Sequence, residues 1–174
     1  MSEEQLKQTI RVIKERFGVQ EADMLYPPAL LIPADKIVEV CQTLRDEFGF
    51  NFLSDLTASD YWPQTEPRMH VIYNLFSHQE NQRLALRVPL DGDHLELPTI
   101  ESLFSNANWH ERELWDMFGI HIEGHSDLRR ILMPQDWVGH PLRKDYPLGY
   151  EEPQFSFNFD EIDRRKHKAG YKEA

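Results

Sequence analysis

The spacing of apolar residues changes along this chain, and each change fixes what the segment can become. Leu6, Ile10, Ile13 and Phe17 recur at helical spacing until Gly18, and Ser2-Glu3-Glu4-Gln5 in front of them has the form of a capping box. Ala29 to Ile32 is a short apolar run ended by Pro33. Ile37, Val40, Cys41, Leu44 and Phe48 then repeat the helical pattern up to Gly49. From Phe50 the period becomes two. A strand is predicted through Phe52 and Leu56 towards Asp60 and Tyr61. In the next, Met69, Val71, Tyr73 and Leu75 share one face and His70, Ile72, Asn74 and Phe76 the other, so it is expected in the centre of a sheet. Leu84, Leu86 and Val88 alternate with Arg83, Ala85 and Arg87 as a half-exposed antiparallel hairpin partner, ended by Pro89 and Asp91-Gly92.

Two further helix starts follow. Thr99 is expected to cap a short helix burying Ile100, Leu103 and Phe104. Asn108 is read as the N-cap of a helix that Gly119 closes, with Glu111 completing the capping box. The pattern predicts an α+β fold: a two-layer domain of helices packed on a mixed, mostly antiparallel sheet.

After Gly119 the periodicity stops. Pro134, Gly139, Pro141, Pro147, Gly149 and Pro153 interrupt every candidate helix, while Trp137, Tyr146, Tyr150, Phe155, Phe157 and Phe159 supply apolar surface. So long an irregular stretch, rich in aromatic residues, reads as an extended arm ordered against a partner, with a polar tail from Asp160 to Ala174. Charge marks the same division. Residues 1–125 hold 21 acids and 10 bases, whereas residues 126–174 hold 9 of each. An α+β domain over 1–125 and an extended partner-binding arm with its tail over 126–174 are therefore expected.

Composition excludes several functions. A net charge of −11 opposes binding to nucleic acid or anionic lipid. No apolar run approaches the roughly 20 residues of a membrane-spanning helix, and the N-terminus has no secretory pattern, so no direct membrane insertion is expected. The single cysteine, Cys41, falls on an apolar helix face and cannot by itself hold a cluster or a thiolate zinc site. Neither a nucleophile elbow nor a phosphate-binding glycine loop is present.

The segment 108–148 concentrates histidines, acids and bases. His110 and Glu113 lie three apart on one helix face, and with His125 they allow a metal-dependent hydrolase as an alternative, although no second His stands four along the helix. An ion-pair network explains more. Asp116 occupies the last helical turn, where the macrodipole disfavours a carboxylate, so a cation from Arg129, Arg130, Arg143 or Lys144 is expected to meet it.

The spacing of this segment also resembles a known family. Glu111-Arg112-Glu113 is followed after two residues by Asp116 and Met117-Phe118, then by His125, Arg129-Arg130 and Ile131-Leu132, and further by Gly139-His140-Pro141-Leu142-Arg143-Lys144-Asp145-Tyr146. It resembles the C-subunit family of NADH:quinone oxidoreductase, respiratory complex I, to which the chloroplast and cyanobacterial J subunit is related. The resemblance implies a scaffold subunit of the peripheral arm, without catalytic, cofactor-binding or metal residues of its own. FMN, iron–sulfur clusters, NADH and quinone belong to the complex. It implies docking on the D subunit, with the B and I subunits nearby, on the cytoplasmic side of the membrane. Glu111, Arg112, Glu113, Asp116, His125, Arg129, Arg130, Arg143, Lys144 and Asp145 are implied in partner contact or arm packing. With no fused D-subunit domain after Ala174, the C and D subunits are expected as separate chains. Equivalent subunits of membrane-bound hydrogenases, or of oxidoreductases fed by ferredoxin or a deazaflavin, are the alternative. The electron donor, the quinone and the coupling ion, proton or sodium, do not follow from this chain.

Overall fold

A computed structural model describes residues 3–22, 27–92 and 94–147. Ser2, Tyr150, the three phenylalanines from Phe155 and the polar tail lie outside these residues. Helix α1 (Glu3–Phe17) leads through the short strands β1 (Gln20–Ala22) and β2 (Ala29–Leu31) to a single 3-10 turn, Ala34–Lys36, and helix α2 (Ile37–Phe48). Three long strands follow, β3 (Phe52–Asp60), β4 (Met69–Ser77) and β5 (Gln82–Leu90). Strand β6 (Glu96–Pro98), helix α3 (Ala107–Phe118) and strand β7 (His121–Glu123) complete the regular elements among the described residues.

The main sheet has the order β1-β2-β5-β4-β3. Its pairs are antiparallel except β2 with β5, which run parallel and place Leu30 beside Leu86. A parallel pair needs a long crossover, and α2 with β3 and β4 supplies it. This is the expected mixed, mostly antiparallel two-layer fold. Met69, Val71, Tyr73 and Leu75 on β4 are at most 1% exposed and share one core with Ile13, Ile37, Leu44 and Leu114 from the three helices. Each such side chain contributes roughly 1.5–3 kcal/mol by leaving water. The opposite face of the sheet, through Thr57, Ile72, Asn74, Phe76 and Arg87, is only half covered.

Several local expectations are corrected. Strand β5 runs on through Pro89 to Leu90, which pairs with Met69, because a proline can sit in a strand where its missing N–H is not required. Ala85 is fully buried, since β5 lies between β2 and β4 and not at the rim. Thr99 starts no helix; its hydroxyl accepts the N–H of Glu101 in a turn. Asn108 lies inside α3, whose N-cap is Asn106, and Asn106 spends its amide on the Leu53 carbonyl. Glu111 therefore has no capping role. Among the described residues the stretch after Gly119 holds one strand, β7, which pairs in parallel with β6.

Candidate functional site: the last helix and the arm beside it

Helix α3 turns a charged stripe towards the irregular segment 126–147. The stripe includes Asp116, whose side chain is fully buried, and Arg130 Nη1 donates to its Oδ1 at 2.5 Å. The other oxygen, Oδ2, accepts three successive backbone N–H groups, from Ile131 at 3.0 Å, Leu132 at 2.8 Å and Met133 at 2.9 Å. One carboxylate thus holds four residues of arm. Burial alone would raise the Asp116 pKa, but these donors outweigh it and hold it below the usual carboxylate range.

The rest of the arm is tied to the same helix end. Arg130 Nη2 donates to the carbonyls of Trp137 and Gly139, and Leu142 N–H donates to the Met117 carbonyl. The His140 ring lies against Gly119, where a Cβ would come within 2.6 Å of Cδ2. Gly119 has φ +75°, so the closing glycine serves both the turn and this close approach. Arg112 forks onto the carbonyls of Arg129 and Arg130, at 3.1 Å each, with its guanidinium over the Trp109 ring. The predicted cation for Asp116 is Arg130, while Arg129 pairs with Asp127 on the exposed side.

Arg143 and Asp145 go elsewhere. Asp145 accepts from Arg143 and from Arg68, and Arg68 also forms a two-pronged pair with Asp60 at 3.1 and 2.9 Å. Asp60 ends β3 and also accepts the Lys144 N–H at 2.8 Å and the Trp62 N–H at 3.0 Å. Arg68 is 6% exposed and lies over the Trp62 ring. Burial opposes ionisation of Asp60, yet Arg68 and the two N–H groups keep its pKa low. The Lys144 side chain and Glu113 form no ion pair among the described residues.

The third cluster tests the metal alternative. Among the described residues only Glu101, Glu111 and His125 bring three ligand-type atoms within 4.8 Å of one another. His110 and Glu113, the expected companions of His125, are not in it. His125 Nδ1 accepts the Asp127 N–H at 3.0 Å, so Nε2 carries the proton and faces the Asn108 carbonyl at 3.1 Å. Glu111 accepts from Thr99 Oγ1 at 2.6 Å and Ile100 N–H at 2.7 Å, and Glu101 from Asn108 and Ser126. Each ligand atom has a protein donor or acceptor, which fits a tie between α3 and its flanking turns. Burial raises the Glu111 pKa against those hydrogen bonds.

Sequence reasoning did not pick out Asp60, Arg68 or Glu101 as site residues, and it read Thr99 as a helix cap instead of a partner of Glu111. Asp60 and Arg68 stand far from the arm in the chain, and nothing in their neighbourhood marks them as its anchors.

The sequence profile of a family described as "Respiratory-chain NADH dehydrogenase, 30 Kd subunit" matches residues 30–152, most of the chain and all of both arm anchors. The chain belongs to this family. Relatives of the 30 Kd subunit family include the C subunit of the NADH-quinone oxidoreductase of Roseiflexus sp. (strain RS-1), 48% identical over 77% of this chain and 78% of that one. The corresponding C subunit of the Brucella abortus (strain 2308) NADH-quinone oxidoreductase is 42% identical over 94% of this chain and 82% of that one. Among solved structures, a trypsin-resistant fragment of Nqo5 is 32% identical with a TM-score of 0.62, covering 71% of this chain and 98% of that chain. An archaeal membrane-bound sulfane sulfur reductase contains a chain of the same fold, with a TM-score of 0.64 at 20% identity, covering 98% of this chain and 96% of that chain. Among the described residues no helix is long and apolar enough to cross a membrane.

Proposed function

We propose that this chain is the C subunit of an NADH-quinone oxidoreductase, a scaffold that docks on the D subunit through residues 126–174 and supports assembly of the electron-transfer arm, with B and I nearby. Family membership and the names of its relatives support the complex. The docking role rests chiefly on one observation: the arm is fixed to α3 by Asp116 while Leu132, Val138 and Leu142 stay 62%, 73% and 51% exposed. A segment pinned to its own helix by hydrogen bonds while its large apolar groups face solvent suits a preformed protein interface. Asp116, Arg130, Arg112, Arg143 and Asp145 then act in arm packing, with Glu111 and His125 behind them. Glu113, Arg129 and the Lys144 ammonium remain for partner contact.

On this reading FMN and the iron–sulfur clusters are held by other subunits of the complex, and the cysteine content supports this for the clusters. Its one thiol, Cys41, is buried, and desolvation pushes its pKa far above the thiolate range. Attachment to the cytoplasmic side of the membrane follows from the partners. Co-purification of the assembled complex tests the reading. Charged replacements at Leu132 and Val138 should lower the amount of complex and leave turnover per assembled complex unchanged. Normal assembly with abolished electron transfer would overturn it.

A further inference from the structure

The half-covered face of the main sheet carries a pattern that the arm does not account for. Cross-strand registry sets Phe76 beside Arg83 and Phe52, and Ile72 beside Arg87 and Thr57. Arg83 lies over the Phe76 ring and Arg87 over the Tyr61 ring, with centroid distances of 5.8 and 5.5 Å. Arg87 is also oriented by His70 Nδ1 at 2.8 Å and by the Tyr61 hydroxyl at 2.7 Å.

These two arginines differ from most others in the chain. Arg11, Arg16, Arg45, Arg68, Arg129, Arg130 and Arg143 each pair with a carboxylate. Arg112 is bound to two carbonyls. Arg83 and Arg87 form no ion pair among the described residues, although the chain has 30 acids and a net charge of −11. The acid in the row between them, Asp55, is on the edge strand β3, two strand spacings or about 10 Å from β5. A positive, aromatic-rich patch on an acidic protein is electrostatically complementary to an acidic surface, and its composition is that of interface centres.

We infer that this sheet face, around Phe76, Ile72, Arg83 and Arg87, is a second docking surface that takes an acidic, partly apolar segment of another subunit of the complex. Four positions along a strand separate the Cα atoms of the two arginines by about 13 Å, so the partner presents two separated carboxylates with apolar side chains between them. The inference rests on the proposed membership of a multisubunit complex and adds a contact remote from the arm.

A photo-crosslinking phenylalanine analogue at position 76, in the assembled complex purified from cells, tests it. The expected product joins position 76 to an Asp- or Glu-bearing peptide of a different subunit, and R83E with R87E lowers its yield at least tenfold. R83Q with R87Q, which adds no negative charge, should lower it several-fold should the double reversal fail to fold. A product with residues 148–174 of the same chain, with a second copy, or no product at all overturns the inference, as does a yield insensitive to both arginine pairs. The same analogue at position 132 separates the two readings. Capture there but not at 76 removes only the second surface, and capture at neither removes the arm as a docking surface as well.

Discussion

Arg130 reaches Asp116 from the arm at 2.5 Å and with its other nitrogen grips the carbonyls of Trp137 and Gly139, so one side chain joins the helix end to two separate turns of the arm. Replacing Asp116 by Ala should cost about 3–5 kcal/mol, because it leaves a largely buried guanidinium and three backbone N–H groups without their acceptor. Urea unfolding gives the magnitude, and hydrogen exchange gives the place: the amides of Ile131, Leu132 and Met133 should lose protection. Retained protection there would show that the arm is held by something else.

Arg68 serves two carboxylates of unequal burial, and the two should weigh differently. Asp60 is 1% exposed and Asp145 35%. D60N should therefore destabilise by about 2–4 kcal/mol, whereas D145N should cost about 1 kcal/mol or less, since solvent screens the outer pair. R68K loses the two-pronged geometry and should behave like D60N. Thermal unfolding of the three variants decides; equal effects would contradict the assignment.

Acid should act on Asp116 and Glu111 in opposite directions. Asp116 is held below its unfolded pKa, so its stabilisation is complete above that value, near 4, and is lost as pH falls through the folded pKa. Glu111 is raised above its ordinary 4.5, so the folded state holds its proton more tightly and stability falls as pH rises through the folded pKa. The cost of E111Q should thus be smaller at pH 7 than at pH 4, and that of D116N larger at pH 7 than below pH 3. Urea midpoints at these values check both signs.

Gly119 tests the fit between helix and arm. G119A places a methyl group 2.6 Å from the His140 ring at a backbone φ of +75°. His140 is fixed by its bond to the Asp116 carbonyl, so it does not yield freely. A loss of about 2–3 kcal/mol is expected. H140A in the same chain should recover the steric part and leave about 1 kcal/mol for the backbone. A strictly additive double variant would mean that the ring moves aside at no cost.

Charged replacements at Leu132 and Val138 should change stability by no more than about 0.5 kcal/mol, since both side chains already face water. The amount of assembled complex should nevertheless fall several-fold. A variant that assembles normally would remove these side chains from the interface.

The elements with a strong local period were legible in the sequence. Leu6 to Phe17 and Ile37 to Phe48 form helices, and Met69 to Phe76 forms a strand between two others, because each buries one face repeatedly over many residues. Short elements were not: β1, β6 and β7 have three residues each and exist only through pairing. The N-cap error at Asn108 has the same origin. Asn106 and Asn108 are equally good local candidates, and the choice between them fell to contacts with Leu53, Glu101 and Ser126. The need of Asp116 for a cation was readable from its place at a helix C-terminus, but the selection of Arg130 over its neighbour Arg129 was not.

The α+β class, the end of regular structure after Glu123 among the described residues, the family and the kinds of residue that fasten the segment 126–147 were readable in the sequence alone, since these depend on periodicity and spacing within short stretches. Only the tertiary structure decided which charges meet. Asp60 and Arg68 come from a strand end and a loop far upstream, and they reach Lys144 and Asp145 because the sheet carries them there. Hydrogen bonds and ion pairs act over a few ångströms of space, without regard to distance along the chain.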